Sequence, residues 1–305
     1  MNDTVLTELS KGVATLTLNR AEALNALSDD MIEALLEIMP RLEADPAVRC
    51  VVLRGAGGHF MAGGDVKQFH RRLDESSEAL RRHFEAKIHR LHPVVVTMRR
   101  MPKPIVAAVQ GACAGFGLSF MLAADLALAA EDAYFTLAYC RIGTSPDGGS
   151  SYHLPRIVGL RRAMEIALLG DRFDAATAER LGVVNRVVPA AELEGETAKL
   201  ARRLAEGPAQ ALANTKRLLG RSLDSSLEVQ LQAEAETAAL ARRLAEGPAQ
   251  ALANTKRLLG RSLDSGLEAQ LQAEAESFAD CAATPDFAEG VTAFVEKRAA
   301  KFGGR

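Results

Sequence analysis

Val109-Gln-Gly-Ala-Cys-Ala-Gly-Phe-Gly-Leu-Ser-Phe-Met-Leu-Ala-Ala-Asp125 is the stretch on which the reading of the whole chain turns. An apolar run of β character at residues 104–109 leads into three glycines, Gly111, Gly115 and Gly117, and then into an unbroken apolar segment of helical length. The expected order is strand, glycine turn, buried helix. The first N–H groups of a helix have no partner within it, and the macrodipole adds about half a positive charge there. Gly115 and Gly117, separated by Phe116, would let a substrate carbonyl approach the backbone, which suits an oxyanion hole as well as a phosphate. A tight turn feeding a core helix fits the same letters.

A second stretch repeats the pattern. Val48-Arg-Cys-Val-Val-Leu-Arg54 reads as a buried strand, and Gly55-Ala-Gly-Gly-His-Phe-Met-Ala-Gly-Gly-Asp65 then turns into Val66-Lys-Gln-Phe69. If the two strands lie side by side, the N–H groups of Gly64 and Phe116 converge on one oxygen, the arrangement that holds a thioester enolate.

With 305 residues, 48% of them apolar, the chain can bury a large core in one domain or slightly more. A formal charge of −2 and scattered arginine pairs, such as Arg71-Arg72 and Arg202-Arg203, argue against a nucleic-acid surface. The first residues lack a basic region followed by an apolar core, and no apolar run is long enough to span a bilayer, so the expected location is the cytoplasm, away from membranes. Cys50, Cys113, Cys140 and Cys281 lie far apart and read as reduced cysteines rather than a metal or disulfide set.

Residues 4–8 and 13–18 alternate around Ser10-Lys-Gly12 as a hairpin, and Ser28 caps a helix running to about Ala44. Residues 66 to about 100 read as helical, with Phe69, Leu73, Leu80, Phe84, Ile88 and Leu91 on the apolar side. His89 and His92 share a face there, but no carboxylate at ligand spacing completes a metal site, so surface histidines are expected. Residues 125–129 and 134–137 are short β-like runs, residues 150–182 short helices, and residues 183–188 a last strand. The remainder is helical and carries a repeat. Residues 197–236 recur as 237–276, changed only where Lys199 becomes Ala239, Ser226 becomes Gly266 and Val229 becomes Ala269. Such near identity marks a recent or engineered duplication. Glu206-Gly-Pro208 and Glu246-Gly-Pro248 must break helices, leaving residues 227–246 free to form one long helix. The duplicated segment is expected to project from the body or to exchange with a neighbouring subunit.

Phe60-Met-Ala-Gly-Gly-Asp-Val-Lys67, Gly111-Ala-Cys-Ala-Gly-Phe-Gly117 and Gly143-Thr-Ser-Pro-Asp-Gly-Gly149 together resemble the enoyl-CoA hydratase/isomerase (crotonase) superfamily, over residues 5–302 apart from the repeat. The resemblance implies an α/β fold: a crotonase-like spiral of ββα units at 1–196, followed at 197–305 by a C-terminal helical region that the duplication extends. It implies an acyl-CoA substrate, with coenzyme A as part of the thioester, no covalently bound cofactor, no metal, and a trimeric or hexameric homo-oligomer. Coenzyme A would lie against Arg20 and Leu24, against Ala62, Asp65 and Lys67 of the first motif, and against Phe294 and Lys297, often of an adjacent subunit. A solvated Arg20 and an exposed Lys297 on an amphipathic helix stand beside those roles. Residues 66–100 would cover the acyl pocket.

The acid/base group above the enolate decides the reaction. By the same resemblance, hydratases carry glutamates where this chain has Ser119 and Tyr139, and neither is a competent carboxylate at neutral pH. Asp147 stands where some isomerases and the 4-chlorobenzoyl-CoA dehalogenases have a functional aspartate. A single base can move a proton between the α- and γ-carbons of an enoyl-CoA, provided apolar surroundings raise its pKa. The expected catalytic set is therefore Asp147 as base, Gly64 and Phe116 as oxyanion donors, and Tyr139 as hydrogen-bond partner of Asp147. An Asp-Gly turn or helix cap is the structural alternative for Asp147. A dehalogenase, to which residues 151–165, Tyr139 and His92 are similar, remains open, as do a hydratase and a non-catalytic acyl-CoA binder.

Overall fold

The protein is described by a computed structural model over residues 3–245, 249–261 and 267–303. A six-stranded sheet has the order β1 (Val5–Ser10), β2 (Val13–Leu18), β3 (Cys50–Gly55), β4 (Ile105–Val109), β6 (Leu126–Ala130), β9 (Arg186–Val188). Only the β1–β2 hairpin is antiparallel. The central strands are apolar on both faces because both faces are covered, as parallel sheets require. Along β3 and β4, Val51, Leu53, Ile105, Ala107 and Val109 enter one core, and Cys50, Val52, Val106 and Ala108 enter another. The second core is closed by α8 (Leu193–Ala205), which buries Leu193, Ala201 and Ala205.

A smaller sheet joins β5 (Ala112–Ala114), β7 (Tyr134–Thr136) and β8 (Phe173–Asp174). The chain therefore spirals: β4, β5 and α4 (Phe116–Leu122) form one turn, and β6, β7 and α5 (Ser150–Val158) the next. Each turn adds one strand to each sheet, which is the expected α/β spiral of ββα units. Around it pack α1 (Asp29–Ala44), capped by Ser28 at Met31 N–H as expected, α2 (Val66–His70), α3 (Ser77–Arg100), α6 (Leu160–Leu169) and α7 (Ala175–Arg180).

Four details differ from the sequence reading. Residues 66–100 are two helices, because Ser76 adopts an extended backbone and caps α3 at Ala79 N–H; Leu73 in the break is 64% exposed. The segment after Gly115 stops at Leu122 because Asp125 is tied to the start of β4, its N–H donating to Ile105 O and its carboxylate accepting from Ile105 N–H. Residues 183–184 belong to a turn, both N–H groups donating to Ala178 O, so β9 begins at Arg186. The glycine turn at Gly111–Gly115 contains the short strand β5, and the two-residue β8 had no signal long enough to read.

Two compact units divide after Leu223. The first includes α8 and α9 (Ala209–Arg221), although both lie mostly within the first repeat copy, because Thr197, Ala201 and Ala205 are buried. Glu206-Gly-Pro208 breaks the chain between them as expected. The second unit holds α10 (Leu227–Ala245), α11 (Ala249–Arg261), α12 (Leu267–Ala282) and α13 (Pro285–Val295), the last capped by Thr284. Residues 246–248, the second Glu-Gly-Pro, lie outside the described residues.

Candidate active site

The smaller sheet explains how the segments that carry two distant amides come to lie side by side. Met61 pairs in parallel with Cys113 of β5, fixed by Met61 N–H to Ala112 O at 2.9 Å and Ala114 N–H to Met61 O at 2.9 Å. Gly64 and Phe116 each lie three residues beyond that pair, on adjacent chains about one strand spacing apart. The approach is close: a Cβ on Gly63 would stand 3.5 Å from the Gly115 Cα and 3.1 Å from Ala114 O. On its other side Gly64 is bridged to Leu27, through Leu27 N–H to Gly63 O and Asp65 N–H to Leu27 O, which leaves its own N–H out of the ladder. Among the described residues, neither the Gly64 nor the Phe116 N–H meets an acceptor within the protein. Such paired, unfilled donors can hold one oxyanion.

The loop of Asp147 is brought against α4 by the neighbouring glycine. Gly148 has φ +60°, and a Cβ there would lie 2.7 Å from the Phe116 ring and 3.0 Å from Ser119 Cβ. Only glycine lets the loop sit so tightly on α4. Tyr139 Oη donates to Asp147 Oδ1, and Ser119 Oγ lies 3.0 Å from the same phenol oxygen. Burial pushes the Asp147 carboxyl above its usual range, opposed by the Tyr139 hydrogen bond and by the charge of His92. Burial and the adjacent carboxylate push the Tyr139 phenol up, so it remains a neutral donor. The turn reading of Asp147 is also satisfied, since its carbonyl accepts from Ser150 N–H and Oγ, but that leaves the carboxylate available.

Sequence reasoning named these side chains but missed the close packing of Gly148 on Phe116 and of Phe69 on Gly64, where a Cβ would meet the Phe69 ring at 2.7 Å. The run of three small residues after Asp147 was the available signal for the first; nothing local signals the second.

The residues expected against coenzyme A divide. Arg20 and Asp65 form an ion pair at 3.0 Å. Arg20 also donates to Ala26 O, while Asp65 caps α2 at Gln68 N–H, so both charges are already engaged inside the loop, and the Arg20 side chain is half-buried. Leu24 is 40% exposed in a left-handed conformation, its carbonyl accepting from Ala62 N–H, and Lys67 is exposed beside them. Phe294 and Lys297 are exposed in the second unit. His89 and His92 rings lie 5.4 Å apart, and no group of three metal-ligating side chains occurs among the described residues. No described helix is long and apolar enough to cross a membrane.

Comparison with known proteins places the chain in a family. The sequence model of the enoyl-CoA hydratase/isomerase family matches residues 8–239 and again 230–305. The 1,2-epoxyphenylacetyl-CoA isomerase of Escherichia coli K12 is 36% identical over 232 residues, 76% of this chain and 87% of that protein. The 4-chlorobenzoyl coenzyme A dehalogenase-1 of an Arthrobacter species is 37% identical over 221 residues, 72% of this chain and 79% of that one. The crystal structure of an enoyl-CoA hydratase/isomerase from Cupriavidus metallidurans CH34 superposes with a TM-score of 0.73 at 27% identity, covering 99% of this chain and 97% of the other.

Proposed function

Because the chain belongs to the enoyl-CoA hydratase/isomerase family, and so acts on acyl-CoA thioesters, we propose that it is an isomerase that moves the double bond of an enoyl-CoA with Asp147 as its base. The observation that carries the reading is one carboxylate, held by a neutral phenol, in a loop packed directly on Phe116. Among the described residues, the two positions that would make a hydratase are a serine and a tyrosine, hydrogen-bonded to each other.

In the reaction, the N–H groups of Gly64 and Phe116 receive the thioester oxygen. Asp147 removes a proton from the α-carbon of a 3-enoyl thioester. The C–H electron pair enters a dienolate whose charge the two amides stabilise, a contribution of several kcal/mol. Asp147 then returns the proton to the γ-carbon, leaving the conjugated 2-enoyl thioester. Its raised pKa narrows the gap to the carbon acid, and the Tyr139 hydroxyl keeps its second oxygen aimed. Leu24, Ala62 and Lys67 are the loop positions open to coenzyme A, with Phe294 and Lys297 contributed by a neighbouring subunit of a homo-oligomer.

The dehalogenase reading draws on the dehalogenase relative and on the charge of His92 acting on Asp147; Asp147 would there attack the chlorinated ring carbon, chloride would leave as an aryl ester forms, and water would hydrolyse that ester to free the hydroxylated ring and Asp147. Incubation with 3-enoyl-, 2-enoyl- and 4-chlorobenzoyl-CoA, followed by mass and ultraviolet absorbance, separates the chemistries. Formation of the conjugated thioester from the 3-enoyl substrate is expected. Asp147→Asn should lower that kcat by about 10²–10⁴-fold with substrate affinity retained. Chloride release, hydration, or binding without turnover each removes the isomerase.

A further inference from the structure

A polar recess of about 380 Å³ opens in the first unit between the start of α1, α2 and the N-terminal half of α3. Its deepest cation is Lys87, 9% exposed, with Nζ 2.8 Å from Asp29 Oδ1 and 5.5 Å from the centroid of the Phe69 ring. Lys87, His83 and Arg90 hold the Asp29 carboxyl below its usual range, so it remains an anion. Arg72 is paired with Glu75 at 2.8 Å. Arg71 has no acidic partner among the described residues, so Arg71, Arg72 and Lys87 face two carboxylates and leave positive charge uncompensated even before His83 is counted. Gln68 Oε1 is buried in the same wall without a hydrogen-bond partner among the described residues. A buried amide of this kind calls for a polar occupant, and its two ends exchange by rotation.

One side chain stands between the recess and Gly64. Phe69 lines it and also closes on Gly64, the ring that a Cβ at Gly64 would strike. A purely alkyl chain running past Phe69 would desolvate these charges without compensation, whereas an anionic end would find Arg71.

We propose that this recess receives the distal carboxylate of an acyl chain whose thioester carbonyl is held at Gly64, which makes ω-carboxylated enoyl-CoA thioesters the preferred substrate class; the assignment rests on the acyl-CoA reading above. Free carboxylate and phosphate share the same chemistry, and the test separates them from the acyl tail.

Steady-state kinetics with 3-octenedioyl-CoA and 3-octenoyl-CoA are compared between the wild-type chain and Arg71→Gln, an exposed substitution that does not threaten folding. The expected result is a KM for the dicarboxylic thioester at least tenfold higher in the variant, with kcat and both constants for 3-octenoyl-CoA unchanged, and a smaller effect of the same kind for His83→Gln. An equal rise for both thioesters assigns Arg71 to coenzyme A and overturns the proposal, as does no change. Thermal unfolding with glutarate or inorganic phosphate, without thioester, gives an independent readout. Protection of the wild type by glutarate that Arg71→Gln loses supports the site even if no enoyl-CoA is turned over, in which case the isomerase reading alone falls. Equal protection by phosphate, with the two thioesters indistinguishable, makes the recess a free-anion site and overturns its assignment to the acyl chain.

Discussion

At the level of single residues, Asp147 is held at a cost that pH can reveal. Its folded pKa lies above the ordinary 3.8, so the folded state binds the proton more tightly than the unfolded state does. Stability from this group is present below the unfolded pKa and lost as pH rises through the raised folded value. At neutral pH the wild type carries an ionised, largely desolvated carboxylate. Asp147→Asn removes that charge while keeping an oxygen for Tyr139. The variant should therefore show a higher Tm than the wild type at pH 7, and the difference should shrink towards pH 4; a constant or reversed difference contradicts the raised pKa. Wild-type kcat should fall on the acid side at a pH above the usual carboxylate range. The carboxylate and both amide positions were legible as letters, since an aspartate between a proline and two glycines and two glycine turns after strands carry their own chemistry. The packing of their segments on one another was not. It depends on the φ of Gly148 and on the contact of that loop with the Phe116 ring of α4, far away in sequence, and local patterning contains neither.

Among the elements, the most informative pair is α9 and α11, which share the sequence Ala-Gln-Ala-Leu-Ala-Asn-Thr-Lys-Arg-Leu-Leu-Gly-Arg. Identical propensity makes both helical, but their surroundings differ. In α9, Lys216 is 2.7 Å from Asp125 Oδ2 and donates to Met98 O and Lys103 O, a largely buried pair whose disruption from one side costs about 3–5 kcal/mol. In α11, the residue used is Asn254, which donates to Ser277 O at 3.0 Å and is buried, while Arg257 donates to Ser277 Oγ. Its counterpart Asn214 is half-buried and accepts from Gln210 on its own helix. Asn254→Ala should thus destabilise the second unit by about 1 kcal/mol through loss of a buried hydrogen bond, whereas Asn214→Ala should stay within about 0.5 kcal/mol. Denaturant melts of the two variants check this; equal effects would mean that the copies are equivalent. Periodicity announced both helices, as it announced α1 and the central strands. It could not say which face each copy uses, because that depends on what lies opposite. For the same reason residues 66–100 read as one helix: Ser76 sits in a run that is polar enough to continue, and its cap becomes visible only once the backbone turns.

For the whole molecule, the duplication raises the question of what one copy would do alone. On a helix, residues 214 and 216 point about 200° apart and residues 214 and 217 about 60° apart. The lysine that pins α9 and the asparagine–arginine pair that captures Ser277 in α11 therefore lie on opposite faces of the same sequence. Two helices divide work that one could perform. Deleting residues 237–276 joins Glu236 to Ser277 and regenerates the α12 sequence with the single change of Ala269 to Val. In that shortened chain one helix carries Lys216 on one side and Asn214 with Arg217 on another, so the two sets of residues no longer need separate helices. The full chain, which divides into two compact units, should unfold in two calorimetric transitions and be cut by limited proteolysis between them. The shortened chain should unfold in one, at a Tm no lower than the first transition of the parent, and with enoyl-CoA turnover retained, since Gly64, Phe116, Tyr139 and Asp147 all lie before the deletion. A shortened chain that still melts in two steps would show that the two faces cannot be used at once.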